Sequence, residues 1–219
     1  MKKLIFIGAA LVLSQNAFAS YDMYSVNVPD DARPQIDKKP IQMELNEKKQ
    51  KGYIERVSEK YEYLNNIENR VKFSTKGNIK STGLVNDVSE IVTTSKFKSV
   101  PQNIKSTTIG YAPVGTFVKE TGWTGITEIF KSDIGMCQFA HFDLKASNGG
   151  YSLSEKDERR DINNKYTFIE ITGKEDNGFT YEVDWFEDLN MYTLSCINKE
   201  FKTQFTDKVI ELAKMIDLN

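Results

Sequence analysis

The sequence predicts an α+β protein with a helical N-terminal region, an antiparallel β-sheet meander of about five or six strands and a closing C-terminal helix. Three observations support this prediction. Residues 41–72 contain no proline and space their apolar residues as a helix does. Residues 109–196 contain alternating segments bounded by turn residues, as strands do. Residues 206–218 return to helical spacing.

The first nineteen residues read as a secretory signal peptide. Two lysines precede the apolar run 4–13, and Ala17-Phe18-Ala19 matches the small-x-small pattern of a cleavage site. The run is shorter than the roughly 20 residues that span a membrane, so no transmembrane anchor is expected after cleavage. No cysteine stands at the cleavage site to carry a lipid. We therefore expect an exported chain that begins at Ser20, with the periplasm as its location and the extracellular space as the alternative.

Composition excludes one class of partner. The chain has 29 basic and 31 acidic residues, so the loss of Lys2 and Lys3 leaves 27 and 31, a formal net charge of −4. A chain without basic excess does not fit nucleic-acid binding. Residues 72–105 carry six lysines against two acids. This local excess could meet an anionic surface, or it could be ordinary solvated surface.

Residues 20–40 are predicted to form an extended arm or linker. They contain three prolines, which disfavour a helix. The stretch YDMYSVNV, residues 21–28, suits a strand that adds to another sheet, and a mobile leader is the alternative. In the first case, the candidate partner-binding residues of the arm are Tyr21, Met23, Tyr24 and Val26.

Residues 41–100 are predicted to be the helical region. An apolar stripe with spacings of three and four runs through residues 54–71, and Gly52 could divide the helix in two. The stripe would pack against the chain's own domain or form a seam with a partner chain. Residues 84–92 fit a short helix or a strand equally well. If the stripe meets a partner, its contact residues are Ile54, Val57, Tyr61 and Leu64.

Residues 101–219 are predicted to hold the sheet and the closing helix, and residues 41–219 could equally form one domain. GKEDNG (173–178) and EDLN (187–190) read as turns, so the last three strands should form an antiparallel meander. A polar loop, 147–164, is long enough to be functional or disordered. In the final helix, Thr206 is the expected cap, and Val209, Ile210, Ala213 and Ile216 form the buried face. The candidate strands are 109–118, 124–131, 135–144, 166–172, 179–186 and 191–196.

The only histidine and the two cysteines give no local catalytic set. In an oxidising compartment, Cys137 and Cys196 are expected to form a disulfide that closes a loop of about 60 residues. His141 follows Cys137 by four positions, which in a strand separates them by about 13 Å and excludes a thiol–imidazole pair. One histidine is too few for a usual zinc site, and no phosphate loop or dinucleotide motif is present. No metal or cofactor is therefore expected.

These observations favour an exported bacterial envelope or secreted protein that acts by protein–protein binding and not by catalysis. An accessory subunit of an envelope assembly, such as a secretion machine, would fit. The alternative is a small-ligand or glycan-binding module, or a hydrolase, with an aromatic and acidic cleft. Its candidate ligand-binding residues are Glu170, Glu182, Asp184, Trp123 and Trp185.

Overall fold

The computed structural model describes residues 23–26, 38–76, 83–154 and 159–218. The predicted signal peptide (1–19) and most of the predicted arm lie outside the described residues. In chain order, the elements are β1 (Met23–Val26), α1 (Lys38–Lys51), β2 (Ile54–Glu55), α2 (Glu59–Lys76), β3 (Ser106–Val118), β4 (Gly122–Ser132), β5 (Gly135–Asp143), β6 (Tyr151–Ser154), β7 (Arg159–Ile162), β8 (Lys165–Lys174), β9 (Gly178–Glu187), β10 (Asn190–Asn198) and α3 (Thr203–Asp217).

Eight of these strands form one mixed sheet. Their order is β2-β8-β9-β10-β5-β4-β3, and β7 also pairs with β8. The pairing of β2 with β8 is parallel, and the other pairings of this sheet are antiparallel. The strands β1 and β6 form a separate two-stranded antiparallel sheet. Residues 23–26 of the predicted arm therefore pair with residues 151–154 of the long polar loop.

The predicted helical N-terminal region is wrong, and with it the predicted architecture. The helix α1 ends before Gly52, whose φ of +83° is incompatible with helix continuation. Ile54 and Glu55 then pair with β8, which makes the sheet mixed. The apolar spacing through residues 54–71 begins after this break, and it does not reveal that Ile54 and Glu55 gain strand pairing instead of helical hydrogen bonds.

Residues 83–100 add to the sheet edge and not to a helical layer. They contain one short 3-10 turn, Val88–Glu90, which Asp87 caps. Val85 bridges to Tyr111 of β3, and Thr93 bridges to Trp123 of β4. The described part of the chain is thus mainly a large mixed sheet with three short helices.

The predicted strands are confirmed. The six candidates correspond to β3, β4, β5, β8, β9 and β10, and their bounds differ by only a few residues at the ends. The predicted meander is β8-β9-β10. Its first turn contains Asn177-Gly178, and Gly178 has a φ of +84°, as hairpin turns often require.

One face of the sheet is covered by α3, and we call it the α3 face. Its side chains alternate along the strands with those of the opposite face, and they form an aromatic core with the buried side of α3. The predicted buried face of this helix is confirmed. The core of the α3 face includes Phe139, Tyr181, Val183, Trp185, Tyr192 and Leu194 from the sheet, and Val209, Ile210, Ala213 and Ile216 from the helix.

The predicted cap of α3 is wrong. The helix begins at Thr203 with Lys202 at the cap position, and no side chain caps it. Instead, the backbone N–H of Lys202 donates to the Tyr181 hydroxyl at 2.7 Å. The start of the helix is thus in contact with the sheet, and Thr206 lies inside the helix.

The opposite face is covered in part by α2, and we call it the α2 face. Leu64 and Ile67 of this helix pack on Ile129 and Ile197 at one end of the sheet. Farther along the same face, polar and acidic side chains of β8, β9 and β10 take the place of the apolar core. The candidate ligand-binding acids lie on this face.

Candidate functional site

The predicted disulfide is confirmed. Cys137 of β5 and Cys196 of β10 are direct cross-strand partners with Cα atoms 4.1 Å apart, and their sulfurs are bonded. Both are buried in the core of the α3 face. Cys137 therefore carries no free thiol and is no nucleophile.

His141 holds a neighbouring segment of the chain. The backbone N–H of Lys98 donates to its Nδ1 at 3.2 Å, and its Nε2 lies 3.0 Å from the side-chain oxygen of Asn190. Because a backbone N–H can only donate, Nδ1 accepts and Nε2 carries the proton. Burial lowers the pKa of His141, although the Asn190 bond and the nearby Asp143 carboxylate oppose this. The imidazole is thus neutral and has both nitrogens occupied.

The acids Glu170 and Glu182 are direct partners across β8 and β9, so their like charges face each other. Each is neutralised by a cation, one from the connection between β2 and α2 and one from the first turn of α2. Arg56 donates to Glu170 at 2.6 Å, and Lys60 forms an ion pair with Glu182. An open groove of about 330 Å³ lies between these groups. The pairs fasten the start of α2 to the sheet.

Asp184 is the third acid of the α2 face and differs from the other two. Its one hydrogen bond that the structure shows comes from the Thr193 hydroxyl, at 2.6 Å. Burial and then the Glu182 carboxylate raise the pKa of Asp184 to about 7, against smaller effects of Thr193 and the Lys60 ammonium. This carboxyl therefore changes charge near neutral pH.

The two tryptophans do not join these acids. Trp185 is fully buried on the α3 face, where its Nε1 donates to Asp217 at 2.9 Å. Trp123 lies in β4, toward the opposite edge of the sheet from β8 and β9, next to the turn between β3 and β4. The structure gathers Glu170, Glu182 and Asp184 on one face but leaves both aromatic candidates elsewhere.

The candidate partner-binding residues are mostly engaged within the chain. Ile54 and Leu64 are buried, and Tyr61 packs against Gly178 of the β8–β9 hairpin. Val57 is 52% exposed. Tyr21 lies outside the described residues. Met23, Tyr24 and Val26 belong to β1, whose backbone pairs with β6.

Sequence reasoning missed an exposed apolar cluster at one end of the sheet, formed by Val92, Phe117 and Trp123, which we call the apolar tip. Val92 is 68% and Phe117 is 55% exposed. Phe117 is the cross-strand partner of Trp123, with ring centroids 5.5 Å apart at 65°. The backbone N–H of Trp123 donates to the backbone carbonyl of Val92 at 2.8 Å. Trp123 was a candidate, but its neighbour Val92 comes from a distant segment that no local pattern connects to it.

A buried ionic cluster around Asp217 was also missed. The Asp217 carboxylate accepts hydrogen bonds from Lys165 at 2.7 Å, from Asn163 at 2.9 Å and from Trp185. Lys98 adds a second ammonium at 3.4 Å. Burial raises the pKa of Asp217, but these partners together outweigh it and hold the pKa below its usual value. Asp217 is a polar residue at the end of the chain's last helix, and its sequence position gives no sign of these partners.

The predicted contact of residues 72–105 with an anionic surface stays a prediction. Lys98 is already paired with Asp217 and Glu187, whereas Lys96 and Lys105 are exposed.

Within the described ranges, no cluster of three or more His, Cys, Asp or Glu side chains is placed to hold a metal ion. None of the helices in those ranges is long and apolar enough to span a membrane. No protein-family model, curated protein or solved structure matches this chain.

Proposed function

We propose that this is an exported protein that binds another protein of the envelope or the extracellular space through the apolar tip. The observation that supports the proposal is the exposure of Val92 and Phe117 beside the half-buried Trp123. Exposed large apolar residues that lie close together are typical of interaction sites. An accessory subunit of a larger envelope assembly is the kind of protein that such a surface suits.

The geometry of the tip favours a protein over a glycan or a lipid surface. The rings of Phe117 and Trp123 meet edge to face at 65°, so they offer no flat platform on which a sugar ring could stack. The exposed charges that lie near them in the sequence are mixed, namely Lys96, Lys119 and Glu120. Anionic membranes attract clusters of several basic residues, which this rim does not provide. An apolar centre with a mixed polar rim matches protein–protein interfaces.

Most of the residues that could have carried chemistry support the fold instead. Cys137 is in a disulfide, both nitrogens of His141 are bonded, and Glu182 is paired with Lys60. Glu170 is likewise paired, with Arg56. Binding therefore accounts for the exposed tip, and within the described ranges no group is both reactive and placed beside an aromatic candidate.

The test compares what different variants capture from the native organism's envelope and culture medium. Phe117→Ser and Val92→Ser remove the apolar contact, whereas Met43→Ser alters a side chain of α1 that is 73% exposed and lies outside the tip. Loss of one interface anchor usually costs more than about 1.4 kcal/mol, or about tenfold in affinity. We expect at least one protein to be captured by wild type and Met43→Ser and lost from both tip variants, as measured by quantitative mass spectrometry.

Two further assays separate the alternatives. The same variants are tested on a glycan array and on phosphatidylglycerol vesicles, both at pH 7.5. Capture of identical protein sets by the wild type and the tip variants would overturn the proposal. Tip-dependent binding to a glycan or to the vesicles, without a tip-dependent protein, would also overturn it.

A further inference from the structure

Residues 92–98, which we call the latch segment, connect the apolar tip to His141. The segment meets the sheet through three backbone contacts. The backbone carbonyl of Val92 accepts from the backbone N–H of Trp123 at 2.8 Å, and the backbone N–H of Thr94 donates to the Trp123 carbonyl at 2.9 Å. The backbone N–H of Lys98 donates to His141 Nδ1. The first two hold the tip end of the segment. At its far end, the third holds the Lys98 backbone, while the Lys98 ammonium is paired with Asp217.

The third contact requires an unprotonated Nδ1. Asn190 accepts the proton of Nε2, so the other nitrogen of the neutral ring is free to accept from Lys98. When the ring gains a proton, both nitrogens become donors. The Lys98 N–H and the new Nδ1–H would then point at each other, so the hydrogen bond cannot survive protonation. The side chain is only 4% exposed, so water cannot readily replace the lost partner.

We propose that protonation of His141 breaks the backbone contact at Lys98, loosens the latch segment that carries Val92 at the apolar tip, and so makes partner binding sensitive to acid. The inference rests on the proposed function for its consequence, since it gives the proposed binding surface a means of regulation. The release itself concerns only residues of this chain.

The groups that face His141 determine where the transition falls. Lys98 approaches from the latch segment, and its ammonium opposes a charged ring, while Asp143 on the same strand favours one. From β10, Asn190 and Tyr192 are the facing side chains, and the pKa of Tyr192 is raised to about 12, so its phenol stays neutral. From β4, the cross-strand partner of His141 is the apolar Ile126.

More distant charges are engaged with one another. The Glu187 and Asp217 carboxylates bind the ammonium groups of Lys98 and Lys165 and do not contact the imidazole. Burial is the largest influence and lowers the pKa of His141 below its ordinary value of 6.5. The folded state then binds fewer protons than the unfolded state at acid pH. The contribution of the latch is therefore complete above pH 6.5 and is lost as pH falls through the folded pKa.

Hydrogen–deuterium exchange of the free protein measures the release without any partner. Peptides covering residues 92–98 are compared at pH 7.5 and pH 5.0, with labelling times corrected for the intrinsic effect of pH. In the wild type, we expect the exchange of these peptides to accelerate about tenfold or more at pH 5.0, while peptides of α3 stay protected. In His141→Gln, whose amide can accept from Lys98 and donate to Asn190, the acceleration should be absent.

The inference fails if the wild-type segment keeps its protection at pH 5.0, or if His141→Gln shows the same acceleration. A second measurement does not depend on the folding of a buried-site variant. Because the chain has one histidine, its imidazole ¹⁵N signals are unambiguous, and they should show the Nε2–H tautomer at pH 7.5. An Nδ1–H tautomer would also overturn the latch. Failure here leaves the capture experiment at pH 7.5 unaffected, so the two proposals can fail separately.

Discussion

Asp217 and Asp184 lie against opposite faces of the same sheet, and their surroundings differ. On the α3 face, Asp217 has two lysines, an asparagine and a tryptophan as partners, and its pKa falls. On the α2 face, Asp184 has one hydroxyl donor and a neighbouring carboxylate, and its pKa rises to about 7. Burial acts in the same direction on both carboxyls. The comparison teaches that the partners supplied by distant segments decide whether burial of the carboxyl is compensated.

The largest expected effect comes from breaking the ionic cluster of the α3 face. Asp217→Asn removes the charge that Lys165 and Lys98 bind and leaves two ammonium groups without this partner. Loss of one member of a buried ion pair typically costs about 3–5 kcal/mol, so we expect a drop of about 3 kcal/mol in the free energy of unfolding at pH 7. Urea unfolding followed by tryptophan fluorescence measures it.

Asp207→Asn is the matched control, because Asp207 is exposed on the same helix. It should change the free energy of unfolding by less than about 1 kcal/mol. The folded pKa of Asp217 is below its unfolded value of 3.8. Its stabilisation should therefore be present above pH 3.8 and be lost as pH falls through the folded pKa. Equal effects of the two variants at pH 7 would contradict the assigned role of the cluster.

The second prediction concerns the uncompensated aspartate of the α2 face. The folded pKa of Asp184 is about 7 against 3.8 for the free group, so the folded state holds the proton more tightly. Stability that this group contributes is fully present below pH 3.8 and is lost as pH rises through 7. Asp184→Asn keeps an acceptor for Thr193 and cannot ionise. We expect it to stabilise the protein at pH 8.5 by up to about 3 kcal/mol, and by much less at pH 5.

The measurement is urea unfolding of the wild type and Asp184→Asn at both pH values. Glu170→Gln is the control, since Glu170 is 44% exposed and paired with Arg56. It should change the pH dependence by less than about 1 kcal/mol. A destabilising Asp184→Asn at pH 8.5 would show that the carboxylate is better compensated than its contacts indicate.

The smallest expected effect comes from the partly exposed ion pair of the α2 face. Lys60→Met removes the partner of Glu182 and one of the two influences that lower the pKa of Asp184. The free energy of unfolding should fall by no more than about 1 kcal/mol at pH 7, because the pair is partly solvated. The same variant should raise the pKa of Asp184, which carboxyl ¹³C NMR can measure.

Lys131→Met provides the comparison, because the Lys131–Glu68 pair is even more exposed and lies away from Asp184. It should leave the titration of Asp184 unchanged. If Lys60→Met destabilises the protein as much as Asp217→Asn does, the contrast between the two faces does not hold.

Much of the sheet could be predicted from the sequence because its signals are local. Alternation along residues 179–186 placed Tyr181 and Trp185 on one face and Asp184 on the other, as the structure shows. Asn177-Gly178 placed the hairpin turn. The disulfide followed from two cysteines and a predicted export signal, and the structure brings the two cysteines together on neighbouring strands.

The sequence by itself thus determined six strands of the large sheet, the turns between the last three of them, and the buried side of α3. The tertiary structure decided the rest. Ile54 and Glu55 left the predicted helix to pair with β8, and Ser58 meets Thr180 across 122 positions. The tip and the Asp217 cluster likewise unite segments that are far apart in the chain. The physical reason is that periodicity records which side of its own element a residue faces, whereas charge compensation and exposure depend on which other element lies opposite.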